Sequence, residues 1–163
     1  MNRLHLIAAA ALGLGLGLAT ATPVSAKVNV IQSASPALAR GASFAWAPVP
    51  ARGFGFPDPR IANEVTADRL RALTEITLTN KGYRQVADAS QADLIAAYTI
   101  VIEPGTDAQS TATQGTLVLD LIERESGRLV WRATSEKQVT GKDVTQGKLT
   151  ALLLQMTKSL PSR

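Results

Sequence analysis

The sequence predicts an α+β domain, with a mixed, largely antiparallel sheet of about five to six strands and two helices packed on one face. Three observations carry that expectation. Two consecutive segments, 116–123 and 128–139, alternate apolar and polar residues with a period of two, and a short glycine-bearing turn separates them. Two others, from Ile61 to Asn80 and from Asp143 to Leu160, place apolar residues at helical spacing. Leu94 to Ile102 is apolar on both faces, which suits a central strand covered by helix on at least one side.

In chain order, Val28-Asn29-Val30-Ile31-Gln32 has strand chemistry, and Ser43 to Ala47 is a second short strand stopped by Pro48 and Pro50. Residues 48–60 form a loop punctuated by proline and glycine. The helix that follows places Ile61, Val65, Ala72 and Ile76 on one stripe, with Ala62 and Leu73 beside them. Glu64, Asp68, Arg71 and Glu75 fall on the opposite, solvated face. Lys81 and Gly82 close the helix with a cation and a glycine cap. Tyr83 to Val86 begins the return strand, and Asp88 to Gln91 is a turn. Glu103 to Gly115 reads as a polar loop.

Thr116 to Glu123 and Arg128 to Val139 then make a hairpin across Glu125-Ser126-Gly127, a three-residue loop with glycine last. The register sets Leu121 opposite Trp131, Leu119 opposite Ala133 and Asp120 opposite Arg132. The last helix starts at Asp143, with Gln146 placed to complete a capping box. Val144, Leu149, Leu152, Leu153, Met156 and Leu160 line its apolar stripe, and Pro161 ends it.

The N-terminus reads as a cleavable signal peptide over residues 1–26. Arg3 supplies the charge, Leu6 to Leu18 the apolar stretch, and Val24-Ser25-Ala26 the small-residue cleavage site, with Ala19-Thr20-Ala21 as the alternative. The apolar stretch is shorter than a spanning helix needs and holds Gly13, Gly15 and Gly17. Those glycines resemble a dinucleotide-binding loop only superficially, because no strand precedes them and no acidic partner follows. Removing 26 of the 163 residues leaves 137, the size of one domain. The expected location is the periplasm or the exterior, with no transmembrane segment after cleavage. The chain has no cysteine, so it is not expected to be a lipoprotein.

The composition excludes several chemistries. The single histidine, His5, leaves with the signal. Without His or Cys there is no Ser-His or Cys-His nucleophile, no thiol redox chemistry, no disulfide, and no usual zinc, copper or iron ligand set. Neither a cofactor nor a metal is expected. The basic residues, from Arg60 to Lys158, are scattered and do not interleave with aromatics, so no nucleic-acid partner is expected.

Each chemically suggestive residue also has a packing explanation. Trp131 and Leu121 are expected in the sheet core. Asp120, amid apolar neighbours, suits a cross-strand ion pair with Arg132 better than a catalytic carboxylate. Gly127 belongs to the hairpin turn. Trp46, beside the proline loop, is harder to place. Thr145 and Lys148 have the spacing of a Ser-Lys pair but sit in an ordinary helix turn. Glu103 and Asp107 lack the spaced carboxylates of a calcium loop. Phe54 and Phe56, held between glycines and prolines, are the candidate partner contacts.

Five segments, Phe-Ala-Trp-Ala-Pro (44–48), Asn-Lys-Gly-Tyr-Arg (80–84), Ala-Asp-Leu-Ile-Ala-Ala-Tyr (92–98), Gly-Thr-Leu-Val-Leu-Asp-Leu (115–121) and Ser-Gly-Arg-Leu-Val-Trp-Arg (126–132), occur in this order with a closing Leu160-Pro161. Together they resemble the domain of unknown function 4136 family from residue 28 to residue 161. The resemblance implies a bacterial envelope protein, often a lipoprotein, with an α+β sandwich and no established activity. It supplies no catalytic residues. The expected function is a non-enzymatic envelope accessory or binding domain, whose partner is an envelope protein or cell-wall component. The rival expectation is a carboxylate-dependent hydrolase acting on an envelope glycan, which needs two acidic groups flanking a cleft.

Overall fold

A computed structural model describes residues 26–39, 41–47, 64–103, 113–139 and 145–162. Residues 1–25 of the signal segment, Phe54 and Phe56, the polar residues 104–112, and Asp143 with Val144 lie outside them. Six strands and two helices follow one another as β1 (Lys27–Gln32), β2 (Ser43–Trp46), α1 (Glu64–Asn80), β3 (Arg84–Gln85), β4 (Leu94–Glu103), β5 (Thr113–Glu123), β6 (Leu129–Val139) and α2 (Gln146–Met156). The sheet order is β1-β6-β5-β4-β2-β3. Pairing is antiparallel from β1 through β6 and β5 to β4, and parallel where β2 lies between β4 and β3. This is the mixed, largely antiparallel α+β sheet that the residue pattern predicts.

Period-two alternation divides the sheet's side chains into two sets. Phe44, Leu94, Ala96, Leu119, Leu121, Trp131 and Ala133 point to one face and share a single core with Leu70, Leu73 and Leu78 of α1 and Leu149, Leu153 and Met156 of α2. Both helices therefore cover the same face. The opposite face carries Ile95, Ala97, Thr99 and Val101 of β4, Thr116, Val118, Asp120 and Ile122 of β5, and Arg132 and Thr134 of β6, all half-buried. No described helix packs on it.

Helix α1 buries a different stripe from the one the apolar residues suggest. Val65 and Ile76 are exposed, at 64% and 56%, whereas Thr66, Leu70, Leu73, Thr74, Thr77 and Leu78 face the core. Threonine makes this possible. The Thr77 hydroxyl donates to the Leu73 carbonyl at 2.7 Å, so its polar atom is satisfied within the helix and its methyl is free to pack. The helix ends on a Schellman pattern: Gly82 N–H donates to the Thr79 carbonyl and Tyr83 N–H to that of Leu78, with Gly82 at φ 99°.

Other boundaries also move. Strand β3 keeps only Arg84 and Gln85, because Tyr83 is drawn into the core, where its hydroxyl donates to the Leu38 carbonyl at 3.2 Å. Burial pushes the Tyr83 phenol up to about 12. Strands β4 and β5 run to Glu103 and from Thr113, so both ends of the expected polar loop are ladder residues. Helix α2 starts at Gln146 with Thr145 as its N-cap, not at Asp143, and the Thr145 side chain makes no capping bond. In the hairpin, Leu121 pairs with Trp131 but Ile122 pairs with Leu129, which leaves Val130 as the extra residue of a bulge.

Candidate functional site

The β5–β6 register brings Asp120 and Arg132 together near the middle of the face that no described helix covers. Arg132 donates from Nε to Oδ1 and from Nη2 to Oδ2 of Asp120, both at 2.7 Å. This is a bidentate fork with both carboxylate oxygens engaged. These hydrogen bonds hold the Arg132 guanidinium above its usual range. The Asp120 side chain is 14% exposed and that of Arg132 42%, so the pair meets solvent through the cation. Cross-strand neighbours extend the row to Ala97 on one side and Ile31 on the other. A carboxylate saturated in this way suits a fixed charge pair rather than a nucleophile or proton donor.

Leu121 and Trp131, the residues on either side of that pair in sequence, point the other way and are fully buried. The Trp131 indole N–H donates to Ser159 Oγ at 3.1 Å, which fastens β6 to the turn after α2. Gly127 occupies the hairpin turn at φ 67°, a conformation L side chains adopt only with strain. Its N–H donates to the Glu123 carbonyl at 2.9 Å.

Trp46, which sequence reasoning left unplaced, anchors a second cluster on the helix-covered face. Its indole N–H donates to Glu75 Oε1 at 2.6 Å, and the Arg71 guanidinium sits 5.3 Å from its ring centroid. Tyr98 meets the Trp46 ring edge-to-face at 5.9 Å, and burial raises its phenol pKa. Arg71 and Glu75 also pair with each other at 3.5 Å along α1. The only sequence signal for this cluster is the four-residue spacing of Arg71 and Glu75. A ring with a cation against it and its N–H engaged is a joint between α1 and β2, not a vacant stacking platform. The segment carrying Phe54 and Phe56 leaves β2 just after this joint, at Ala47.

Three carboxylates with lowered pKa values are structural ties. Asp93 accepts from the Ser43 backbone N–H and hydroxyl, each at 2.7 Å, and these bonds hold its pKa below the usual value. Glu123 is lowered by hydroxyl donation from Ser126 and from Ser35. Asp88 is lowered by Ser90, whose N–H and hydroxyl it accepts. Among the described residues no three acidic, His or Cys side chains gather as a metal site.

At the sheet's long edge, β1 presents backbone to solvent. Ser33 N–H donates to the Val130 carbonyl, so odd-numbered residues of β1 bond to β6, while the N–H and C=O of Val28, Val30 and Gln32 point away from it. Val30 is 39% and Ile31 63% exposed on this strand. The opposite edge, β3, offers two residues only.

Solved structures share this architecture at low identity. The PelC dodecamer from Paraburkholderia phytofirmans is 19% identical, with a TM-score of 0.55, over 84% of this chain and 100% of that one. A single-substitution variant of the same dodecamer is 17% identical, with a TM-score of 0.53, over 85% and 100%. A DUF4136 family protein from Bacteroides thetaiotaomicron is 13% identical, with a TM-score of 0.57, over 82% of this chain and 94% of that one. No curated protein matches the sequence. The family model described as Domain of unknown function (DUF4136) matches residues 28–161, from β1 through the turn after α2, and the chain belongs to that family.

Proposed function

We propose that this protein is a non-enzymatic domain of the cell envelope, exported by its N-terminal segment, that works by binding another protein. The observation that carries this reading is the sheet face that no helix covers among the described residues. Ile95, Val101, Val118 and Ile122 lie there half-buried around a pre-formed ion pair, while both helices occupy the other side. An apolar surface with one fixed charge pair suits a protein partner. Burial of the aliphatic side chains supplies affinity, and the pair, already desolvated on the Asp120 side, sets orientation. A protein–protein role is also supported by the dodecameric assembly of PelC, which is similar in fold. Phe54 and Phe56 stand as a second contact on the sequence alone.

Photo-crosslinking in cells tests the reading. A photoreactive residue at Val118 is expected to give a discrete protein adduct that the same residue at Ala151, exposed on α2, does not. Equal adduct patterns from both positions sink the sheet face as an interface. Export is tested separately by N-terminal sequencing of the envelope fraction, where a chain starting at Lys27 is the expected product.

A further inference from the structure

Among the described residues, strand β1 lacks the usual protection of a sheet edge. Within residues 27–32 there is no proline and no bulge, and the one charge, Lys27, lies at the end. Three residues, Val28, Val30 and Gln32, direct outward backbone groups that have no partner among the described residues. The other edge cannot receive them. Strand β3 is two residues long and carries Arg84, so edge-to-edge growth from β1 onto β3 has almost no ladder to form. The edge that matches β1 in length is a second β1.

We infer that two copies of this chain pair antiparallel through β1, about a two-fold axis at Val30, and continue one sheet across the dimer. The register follows from the backbone. Outward-facing residues must meet outward-facing residues, a condition met over five pairs of β1 when Val30 lies against Val30, Val28 against Gln32 and Asn29 against Ile31 of the second copy. Lys27 then falls opposite Ser33, so no like charges meet. Shifting the axis to Asn29 places Lys27 against Ile31 and leaves Ile31 without an uncharged neighbour. Helix α2, which lies over the β1–β6 end of the sheet and has Leu154 exposed at 54%, adds apolar surface on the same side of the molecule. The contact is isologous and closes on itself, giving a dimer rather than a fibre. It goes beyond the proposed sheet-face partner and does not depend on it.

The cysteine-free sequence makes the test direct. Val30→Cys is expected to form an intermolecular disulfide under mild oxidation, because directly opposed ladder residues have Cα atoms about 5.5 Å apart, within disulfide range. Asn29→Cys and Ile31→Cys are expected to stay unlinked. Val30→Pro removes one outward N–H without touching the bonds to β6. It is expected to halve the mass seen by light scattering while leaving the circular dichroism spectrum unchanged. A monomeric unmodified protein, or linkage through position 29 or 31 in place of 30, overturns the inference. Val118→Glu, which alters only the uncovered face, is expected to keep the dimer mass, so failure of one interface is read separately from failure of the other.

Discussion

Ser135 faces the helices, 2% exposed, and its hydroxyl has no hydrogen-bond partner among the described residues. An orphaned buried hydroxyl costs its lost hydration, so Ser135→Ala is expected to leave stability unchanged or raise it by up to about 1 kcal/mol, read from the urea midpoint. Asp93 is the opposite case. The Ser43 N–H and hydroxyl depress its pKa in the folded state, so its contribution is present above the unfolded carboxylate value near 3.8 and is lost as pH falls through the lower folded value. Asp93→Ala is expected to melt lower at pH 7 and to show a shallower fall in Tm between about pH 5 and pH 2, because the tie that acid would break is already gone. For Asp120 and Arg132, a double-mutant cycle to Ala is expected to give a coupling of about 0.5–1 kcal/mol that shrinks with added salt, since the guanidinium is substantially exposed.

At the scale of elements, the glycine cap of α1 is the sharpest case. Gly82 holds φ 99° to deliver two capping bonds, so Gly82→Ala is expected to cost about 1–2 kcal/mol, measured by thermal unfolding. That cap was legible in the sequence as Asn80-Lys81-Gly82, and so was the β5–β6 hairpin. Strict alternation and a turn glycine leave one register in which Leu121 meets Trp131 and Asp120 meets Arg132. The buried face of α1 was not legible. A stripe drawn through Val65 and Ile76 treats threonine as polar, whereas Thr66, Thr74 and Thr77 are what the core accepts. The start of α2 was misplaced for a related reason, since Asp143 offers a better capping side chain than Thr145 and the helix uses Thr145. The Trp46 joint depends on the meeting of three separate elements, which no local pattern encodes. Phe54 and Phe56 lie outside the described residues, so their part in the candidate site rests where the sequence left it.

Over the whole molecule, the sheet has a strong centre and weak margins. Strands β4, β5 and β6 pair along ten or eleven residues each, while β3 contributes two. Amide exchange is expected to be slowest in these three strands and fastest in β3. Leu119→Ala, at a 1% exposed site in the middle of that block, is expected to cost about 3 kcal/mol. The position of β1 has a consequence in time as well as in space. Its partner is β6, with Lys27 opposite Glu136, so roughly a hundred residues of chain separate β1 from the strand that completes its ladder. The local hairpins from β4 to β6 have short loops to close and assemble first, and β1 docks afterwards against a long loop-closure entropy. Until then Val28, Val30 and Ile31 stay unpaired, so the folding chain carries an apolar strand that is the last to be covered.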